Sequence, residues 1–344
     1  MGVTLKDTAR RYLKHGLNII PTGMNKKPTV LNWNRYQKEA MSLEEFEEVF
    51  KDDSNIGVLT GGSGRIVCLD ADMKYDLSGD LWDRFLEEVP KQIIDKVMVE
   101  STQNKGYHIV FKAPQTRLFG NEKLASRYTT PEEKHQVYLE AFKHPQTRGN
   151  ALKIALGDST RILFETRSGS AELFGGYFLM YPSVGYAHIC GKIGELSEEE
   201  YDVLMAIVRS FNEVKEVQRK VDTNHGNVTW AVDPFEHFNE DGDALEVLLQ
   251  HGWVMLPKKG KNIRLKRPGH TFAAHSAIFD EETKVFNCFT TSTSFDIGRG
   301  YTPAGVFQVL ECGNDGRVAY DKLVELGYGI PIGDAKTFDS TKED

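Results

Sequence analysis

Cysteine is scarce and scattered: Cys68, Cys190, Cys288 and Cys312 are the only four in 344 residues. None forms a C-x-x-C pair, so a zinc knuckle, a zinc ribbon or a disulfide framework is not expected. Each thiol reads instead as a small apolar packing residue. No stretch approaches the roughly 18–20 consecutive apolar residues that a membrane span needs. The opening Met1-Gly2-Val3-Thr4-Leu5-Lys6-Asp7 is polar, and Lys6 stands where a myristoylation signal needs Ser or Thr. A cytoplasmic chain, with no membrane partner, is the expectation. A G-x-x-x-x-G-K-[ST] string is missing, which excludes a helicase motor from this sequence. Repeats and low-complexity tracts are missing too. Nor is there an overall basic excess: 42 Lys and Arg stand against 50 Asp and Glu, a net of −8. That balance argues against a protein that coats polyanions over its whole surface.

What is present is local charge. Residues 1–40 carry eight Lys and Arg against Asp7 and Glu39 alone. Residues 251–275 hold Lys258, Lys259, Lys261, Arg264, Lys266 and Arg267 with no acid. Acid gathers at 44–53 and again at 195–200. Basic stripes on an acidic chain suit local binding of phosphates or nucleic acid, although solvated helix faces and loops would give the same letters.

At roughly 100–200 residues per domain, two domains are expected. Leu5–His15 reads as a helix ended by Gly16, and Leu17–Pro21 as a short strand. Lys26-Lys27-Pro28 opens a loop, and Ser42-Leu43-Glu44-Glu45 is a capping box before a second helix. Asn55–Thr60 and Arg65–Ala71 are strands joined by Gly61-Gly62-Ser63-Gly64. A helix over 77–88 and strands over 97–101 and 107–112 follow, the last two joined by Asn104-Lys105-Gly106. Residues 121–156 read as a polar, mostly helical insertion before strands 161–166 and 177–181. A long helix is expected from Glu198 to about Val221, then a linker over 222–227. From Trp230 a second unit begins, with helices over 241–251, 303–311 and 315–326 around a hairpin-rich 252–290. The last dozen residues read as a disordered tail.

The string with most chemistry in it is Val67-Cys68-Leu69-Asp70-Ala71-Asp72. Strand alternation sends Asp70 and Asp72 to one face with Cα atoms about 6.5–7 Å apart. Two carboxylates that close repel unless a cation, a proton or an arginine neutralises them. Mg²⁺ prefers such oxygen-only ligation, with room left for substrate phosphates. A third acid, Glu165, ends the apolar strand Ile162-Leu163-Phe164. An edge-strand Glu pairing with Arg161 or Arg167 would write the same letters, so both readings stay open here. Asp241-Gly242-Asp243 repeats the spacing but reads as a helix start. His108 lies two residues past the glycine turn, on the opening of a strand, where a cationic side chain could share a triphosphate's charge with a metal.

In this order the segments resemble the primase-polymerase (prim-pol) group of the archaeo-eukaryotic primase superfamily. The residues that carry the resemblance are Lys26-Lys27-Pro28, Trp33, Asn55–Gly61, the Asp70/Asp72 pair, the turn ending at His108, Glu165-Thr166-Arg167, and Gly176-Tyr177 through Tyr181-Pro182-Ser183. It spans roughly residues 5–190. It implies an α/β (α+β) fold with an RRM-like, metal-bearing sheet over 1–200, then a helix and linker over 201–229. A small α+β accessory domain over 230–331 and a tail over 332–344 would complete the chain. Asp70, Asp72 and Glu165 would then be the catalytic, metal-binding triad for two divalent ions, Mg²⁺ or Mn²⁺, with no zinc. His108 would contact the nucleotide phosphates, Asn104 and Lys105 would join the nucleotide cradle, and Arg167 would lie beside nucleotide or template. Glu165 stands where the family usually has Asp, and Asn104-Lys105 replaces a common Ser-Gly. Ser170–Phe174 adds residues before the closing strand.

The implied reaction is template-directed nucleotidyl transfer by a DNA primase and polymerase. Its partners would be single-stranded DNA template, primer and nucleoside triphosphates, with a replicative helicase domain or protein beside it. The setting implied is phage or mobile-element DNA replication. Nucleic-acid contacts are expected from Lys26 and Lys27 and from Lys258, Lys259, Lys261, Arg264, Lys266 and Arg267. Two other readings compete: a metal-dependent nuclease using the same carboxylates, and a non-catalytic single-stranded DNA-binding module.

Overall fold

Helix α1 (Leu5–Lys14) starts where Thr4 and Asp7 close a reciprocal capping box and stops before Gly16, whose φ of +81° is left-handed. It opens a computed structural model that describes residues 4–214, 229–258, 262–269, 275–290, 292–297 and 299–332. The chain divides into two units, Met1–Val214 and Lys215–Asp344. Among the described residues, no helix is long and apolar enough to cross a membrane.

The first unit is built on nine strands: β1 (Ile19–Thr22), β2 (Asn55–Gly61), β3 (Ile66–Ala71), β4 (Met98–Ser101), β5 (Tyr107–Lys112), β6 (Lys123–Tyr128), β7 (Thr160–Arg167), β8 (Phe174–Met180) and β9 (Ala187–Gly191). Every pair among them is antiparallel. β2 and β3 touch only at Gly61 and Ile66. Beyond that corner β2 runs with β1 and β8, while β3 runs between β5 and β7. Gly61 makes the corner possible: its φ is +68°, and a Cβ there would lie 2.4 Å from Gly169 Cα. The sheet therefore curls, and one face closes on itself. On that inner face Ile56 and Val58, Ile66 and Cys68, Met98, Val110, Phe178 and Met180 form one buried cluster. Burial of this kind is worth about 1.5–3 kcal/mol per large apolar side chain.

The helices α2 (Leu43–Val49), α3 (Leu81–Glu88), α4 (Lys91–Ile94), α5 (Pro131–Lys143), α6 (Ala151–Gly157) and α7 (Glu198–Arg209) complete the unit. On the outer face Phe85 of α3 meets Phe164 of β7, and Tyr201 of α7 meets Phe111 of β5. The α+β architecture read from the sequence is the one the chain adopts.

Several local expectations are corrected. Ser42 caps α2 by accepting the Glu45 N–H, but the Glu45 side chain does not return to close the box. It accepts from the Tyr36 hydroxyl at 2.8 Å and pairs with Arg35. The helix expected from residue 77 starts at Leu81, because the Asp76 carboxyl accepts from the N–H groups of Ser78 (3.0 Å) and Leu81 (2.9 Å) and turns the chain first. The segment read as an insertion supplies β6, a strand of weak intrinsic β propensity that pairing with β7 imposes. Strand β9 at the sheet edge was also not foreseen. The helix expected to reach Val221 ends at Arg209. Residues 215–221, the linker at 222–227 and the tail from 333 lie outside the described residues.

The second unit has its own frame. β10 (Trp230–Val232) leads into α8 (Pro234–Asp241) and α9 (Ala244–Gln250). Antiparallel β11 (Val254–Met255), β12 (Asn262–Lys266), β13 (Ala277–Asp280), β14 (Val285–Cys288) and β15 (Gly300–Tyr301) follow in sequence order. Then come α10 (Pro303–Glu311), α11 (Gly316–Glu325) and β16 (Ile330–Pro331), which pairs with β10. The helix expected over 241–251 forms as α9 from Ala244, whereas α8 before it, which ends at Gly242 in extended conformation, was not foreseen. Asp243 does start a helix, accepting the Glu246 N–H at 2.9 Å. Trp253, Phe286, Phe295 and Tyr301 pack the sheet core, and Phe235, Phe238, Phe307 and Tyr320 pack the helices.

Candidate active site

The register of the curled sheet sets one row of ionisable side chains across five strands. Asp70 of β3 stands opposite Glu165 of β7 on one side and His108 of β5 on the other. His108 in turn faces Glu100 of β4, which faces His188 of β9. Directly opposed residues of antiparallel strands share a face. Two positions back along the strands, the same face carries Cys68, Val110 and Met98, all buried in the core cluster. The row is thus where an apolar face gives way to charge. Asp72 lies just past β3, held by its own N–H to the Leu163 carbonyl at 2.9 Å.

The turn before β5 is tightly specified. Lys105 has φ +64°, and Thr102 closes the loop through the Gly106 carbonyl (2.9 Å), while its hydroxyl accepts the Gly106 N–H (3.1 Å). A Cβ on Gly106 would come 2.4 Å from the Ala71 carbonyl oxygen, so glycine is required for β5 to lie against the end of β3. This contact brings His108 level with Asp70. Asn104 and Lys105 sit exposed at the tip.

The carboxyl groups crowd one another. Burial pushes Asp70 above the ordinary carboxylate range; His108 pulls it back and Asp72 adds to the push. Burial also raises Glu165, against the pull of Arg167 and with Asp70 and Asp72 adding to the rise. Arg167 pairs with Glu165 and comes within 3.8 Å of Asp70; Lys74 lies 3.2 Å from Asp72. His108 Nε2 is 3.9 Å from Asp70, and its Nδ1 is 2.8 Å from Glu100. The rings of Phe178 and Tyr186 flank the imidazole at 5.3 and 5.6 Å between centroids. Burial, with Glu100 and Asp70 close by, pushes the Tyr186 hydroxyl up to about 12.

Three neighbouring carboxyl groups, two of them raised by burial, are the oxygen-only donor chemistry that Mg²⁺ and Mn²⁺ favour. By donor type Asp70, Asp72 and Glu165 fit such an ion. Among the described residues no three His, Cys, Asp or Glu side chains are drawn together in ligand geometry. Arg167 holds Glu165 and Lys74 holds Asp72 instead.

Of the basic residues expected in the first unit, Lys26 approaches this row. Lys26, itself left-handed with φ +64°, places its amine 5.8 Å from the centre of the Tyr186 ring that flanks His108. The Tyr177 hydroxyl fixes the Lys26 carbonyl at 3.0 Å. Lys27 is exposed beside it. In the second unit Lys258 pairs with Glu281. Arg264 and Lys266 alternate with buried Ile263 and Leu265 along β12, and Arg267 donates to the Pro268 carbonyl at 3.2 Å. Lys259 and Lys261 lie outside the described residues.

Glu100 and Tyr186 were not foreseen. Hairpin counting from the turn could have found Glu100, because Ser101 facing Tyr107 puts Glu100 opposite His108.

The family profile of the bifunctional DNA primase/polymerase N-terminal domain matches residues 9–188, which contain the whole row. No curated protein matches the chain.

Proposed function

The chain belongs to the bifunctional DNA primase/polymerase family, and from that premise we propose that residues 1–214 carry out template-directed nucleotidyl transfer from nucleoside triphosphates. The observation that carries the reading is the shared register of Glu165, Asp70 and His108 on three neighbouring strands. It sets anionic oxygens beside an imidazole, side chains of the kind that a triphosphate and its counter-ions require. Asp70, Asp72 and Glu165 would hold the divalent ions, which when bound supply Lewis-acid stabilisation of the attacking and leaving oxygens.

The protein's own groups do the rest. His108 Nε2 and the Lys26 amine meet the triphosphate from the β5 side, with Asn104 and Lys105 closing over it from the turn. Arg167, paired with Glu165 here, would turn to the nucleotide or the template phosphate. The curled inner face behind the row, lined by Cys68, Val110 and Met98, keeps water from the carboxyl groups on that side. Arg264, Lys266 and Arg267 of the second unit hold single-stranded template before a duplex exists.

The test is incubation of the full chain with single-stranded DNA, labelled nucleotides and Mg²⁺ or Mn²⁺, with and without primer. Extension of primer supports polymerase action, and labelled product without primer supports priming. Cleavage of the template with no binding of free nucleotide would replace the reading with a nuclease. Salt-sensitive DNA binding without product, unchanged by Asp70→Ala, would replace it with a binding module.

A further inference from the structure

Glu100 is fully buried, at 0% exposure, with apolar Met98 two positions back on its own face and His108 and His188 opposite it on the neighbouring strands. One carboxyl oxygen lies 2.8 Å from His108 Nδ1, and the other accepts the Tyr181 N–H at 2.8 Å. No Lys or Arg among the described residues bridges to it. For stability alone an apolar pair at 100 and 108 would serve the sheet as well, since a buried ionisable pair seldom repays its desolvation. The contact does something apolar residues cannot. Phe178 and Tyr186 wall the imidazole in, but an aromatic wall does not distinguish the ring from its flipped form. A hydrogen-bond acceptor at Nδ1 does, and it also sets the tautomer. With Nδ1 held, Nε2 points along the row to Asp70, 3.9 Å away and so beyond hydrogen-bond reach. Nε2 is aimed but not consumed.

We propose that Glu100 is a positioning residue, which holds His108 through Nδ1 so that Nε2 is presented to a phosphate oxygen of the bound nucleoside triphosphate. The second oxygen ties the same carboxyl group to the end of β8, so the ring is referenced to two strands at once. The role of His108 in this statement rests on the nucleotidyl-transfer reading; the holding of the ring does not.

Two measurements separate these. In the unaltered full chain with ¹⁵N-labelled histidine, the His108 ring, assigned by its loss in His108→Gln, is expected to carry a slowly exchanging proton on Nδ1 in the absence of nucleotide. Glu100→Gln, which offers one acceptor and one donor where two acceptors are needed, should abolish that signal. A bare Nδ1 in the unaltered protein overturns the proposal whether or not any variant folds. The second measurement is titration with a non-hydrolysable nucleoside triphosphate in Mn²⁺. Glu100→Gln should weaken binding about ten-fold, the scale of one charge-assisted hydrogen bond, and leave template affinity unchanged. On a His108→Ala background it should cost nothing further, because its effect passes through the ring. An equal loss on both backgrounds, or none on either, overturns it. Failure of the unaltered chain to bind any nucleoside triphosphate overturns the functional reading instead, while the ring signal still reports whether Glu100 holds His108.

Discussion

Acidic side chains gather around both ends of strand β7, and the two ends treat them in opposite ways. At the start, Arg161 grips Asp158 at 2.5 and 2.6 Å, and Arg127, its side chain 3% exposed, takes both oxygens of Glu133 at 2.7 and 2.8 Å. Each acid there has a guanidinium of its own, and the bonds from those guanidiniums hold Glu133 down at about 2 and lower Asp158 as well. At the finish, Glu165, Asp70 and Asp72 share Arg167, Lys74 and the His108 ring, and Asp70 and Glu165 rise instead of falling. A cluster whose charges cancel with good geometry is a fastening. One that burial leaves short of positive charge is poised for a cation or a phosphate that the fold itself does not supply.

The largest effect should come from the unbalanced end. Asp70→Asn keeps the shape of the side chain and removes one anionic oxygen from the row. Primer extension is expected to fall by far more than the roughly 100-fold typical of losing an outer-shell partner. Thermal melting should show no loss of stability. Asp70 is charged at a cost in the folded state, and its contacts to Arg167 and His108, at 3.8 and 3.9 Å, are too long to repay it. Normal extension in this variant would remove the carboxyl row from the reaction.

Glu133→Gln should do the reverse, lowering stability by about 1–3 kcal/mol with turnover unchanged, because it strips a nearly buried arginine of its bidentate partner. Its pH dependence has a definite sign. The folded-state value of Glu133 is depressed from 4.5 to about 2. The stabilisation is therefore complete above about 4.5 and is lost as the pH falls toward 2. Denaturation curves of the two proteins should differ most at neutral pH and converge on acidification. A constant gap across that window would show that the pair contributes only through packing.

How much of this contrast could be read from the letters differs between the two ends. Asp70, Asp72, His108 and Glu165 were legible because each ends or opens an apolar strand, where a charge stands out against the alternation. Their mutual alignment was not, because alternation gives the face and leaves the register open. The register depends on Gly106 against Ala71 and Gly61 against Gly169, which are contacts distant in sequence. The balanced end was hidden for another reason. Arg127 belongs to a strand that Lys-Leu-Ala-Ser-Arg-Tyr does not announce, so it and its partner Glu133 read only as parts of a polar, mostly helical insertion. In the second unit the hairpins and α9 were legible, but α8 was not, and its end at Gly242 rests on the packing of Phe238: a Cβ there would lie 2.5 Å from the Phe238 carbonyl oxygen.

A smaller effect should separate two adjacent lysines. Lys26 sends its amine over Tyr186, beside His108, while Lys27 is exposed in the same loop. Lys26→Ala should raise the nucleotide KM several-fold, about the worth of one partly screened phosphate contact, and Lys27→Ala should change it less than two-fold. Equal effects would mean that the loop acts through its general charge and that the tyrosine does not direct it.

The smallest effect carries the same contrast into the second unit. Lys258 is paired with Glu281, so its charge is already compensated, as at the start of β7. Lys266 alternates with buried Leu265 on β12 and lies opposite Val254 of β11, which is more than half exposed. If β12 grips single-stranded template, each lysine that meets a phosphate releases about 0.7 of a counter-ion on binding. Lys266→Ala should then lower the slope of log affinity against log salt by about that amount. Lys258→Ala should leave the slope nearly unchanged, since its amine must first leave Glu281 before it can neutralise a phosphate. The measurement is a salt titration of binding to a labelled oligonucleotide, with the full chain and either variant. Equal slopes for all three proteins would make the basic run a solvated surface, and the template would have to be held by the first unit alone.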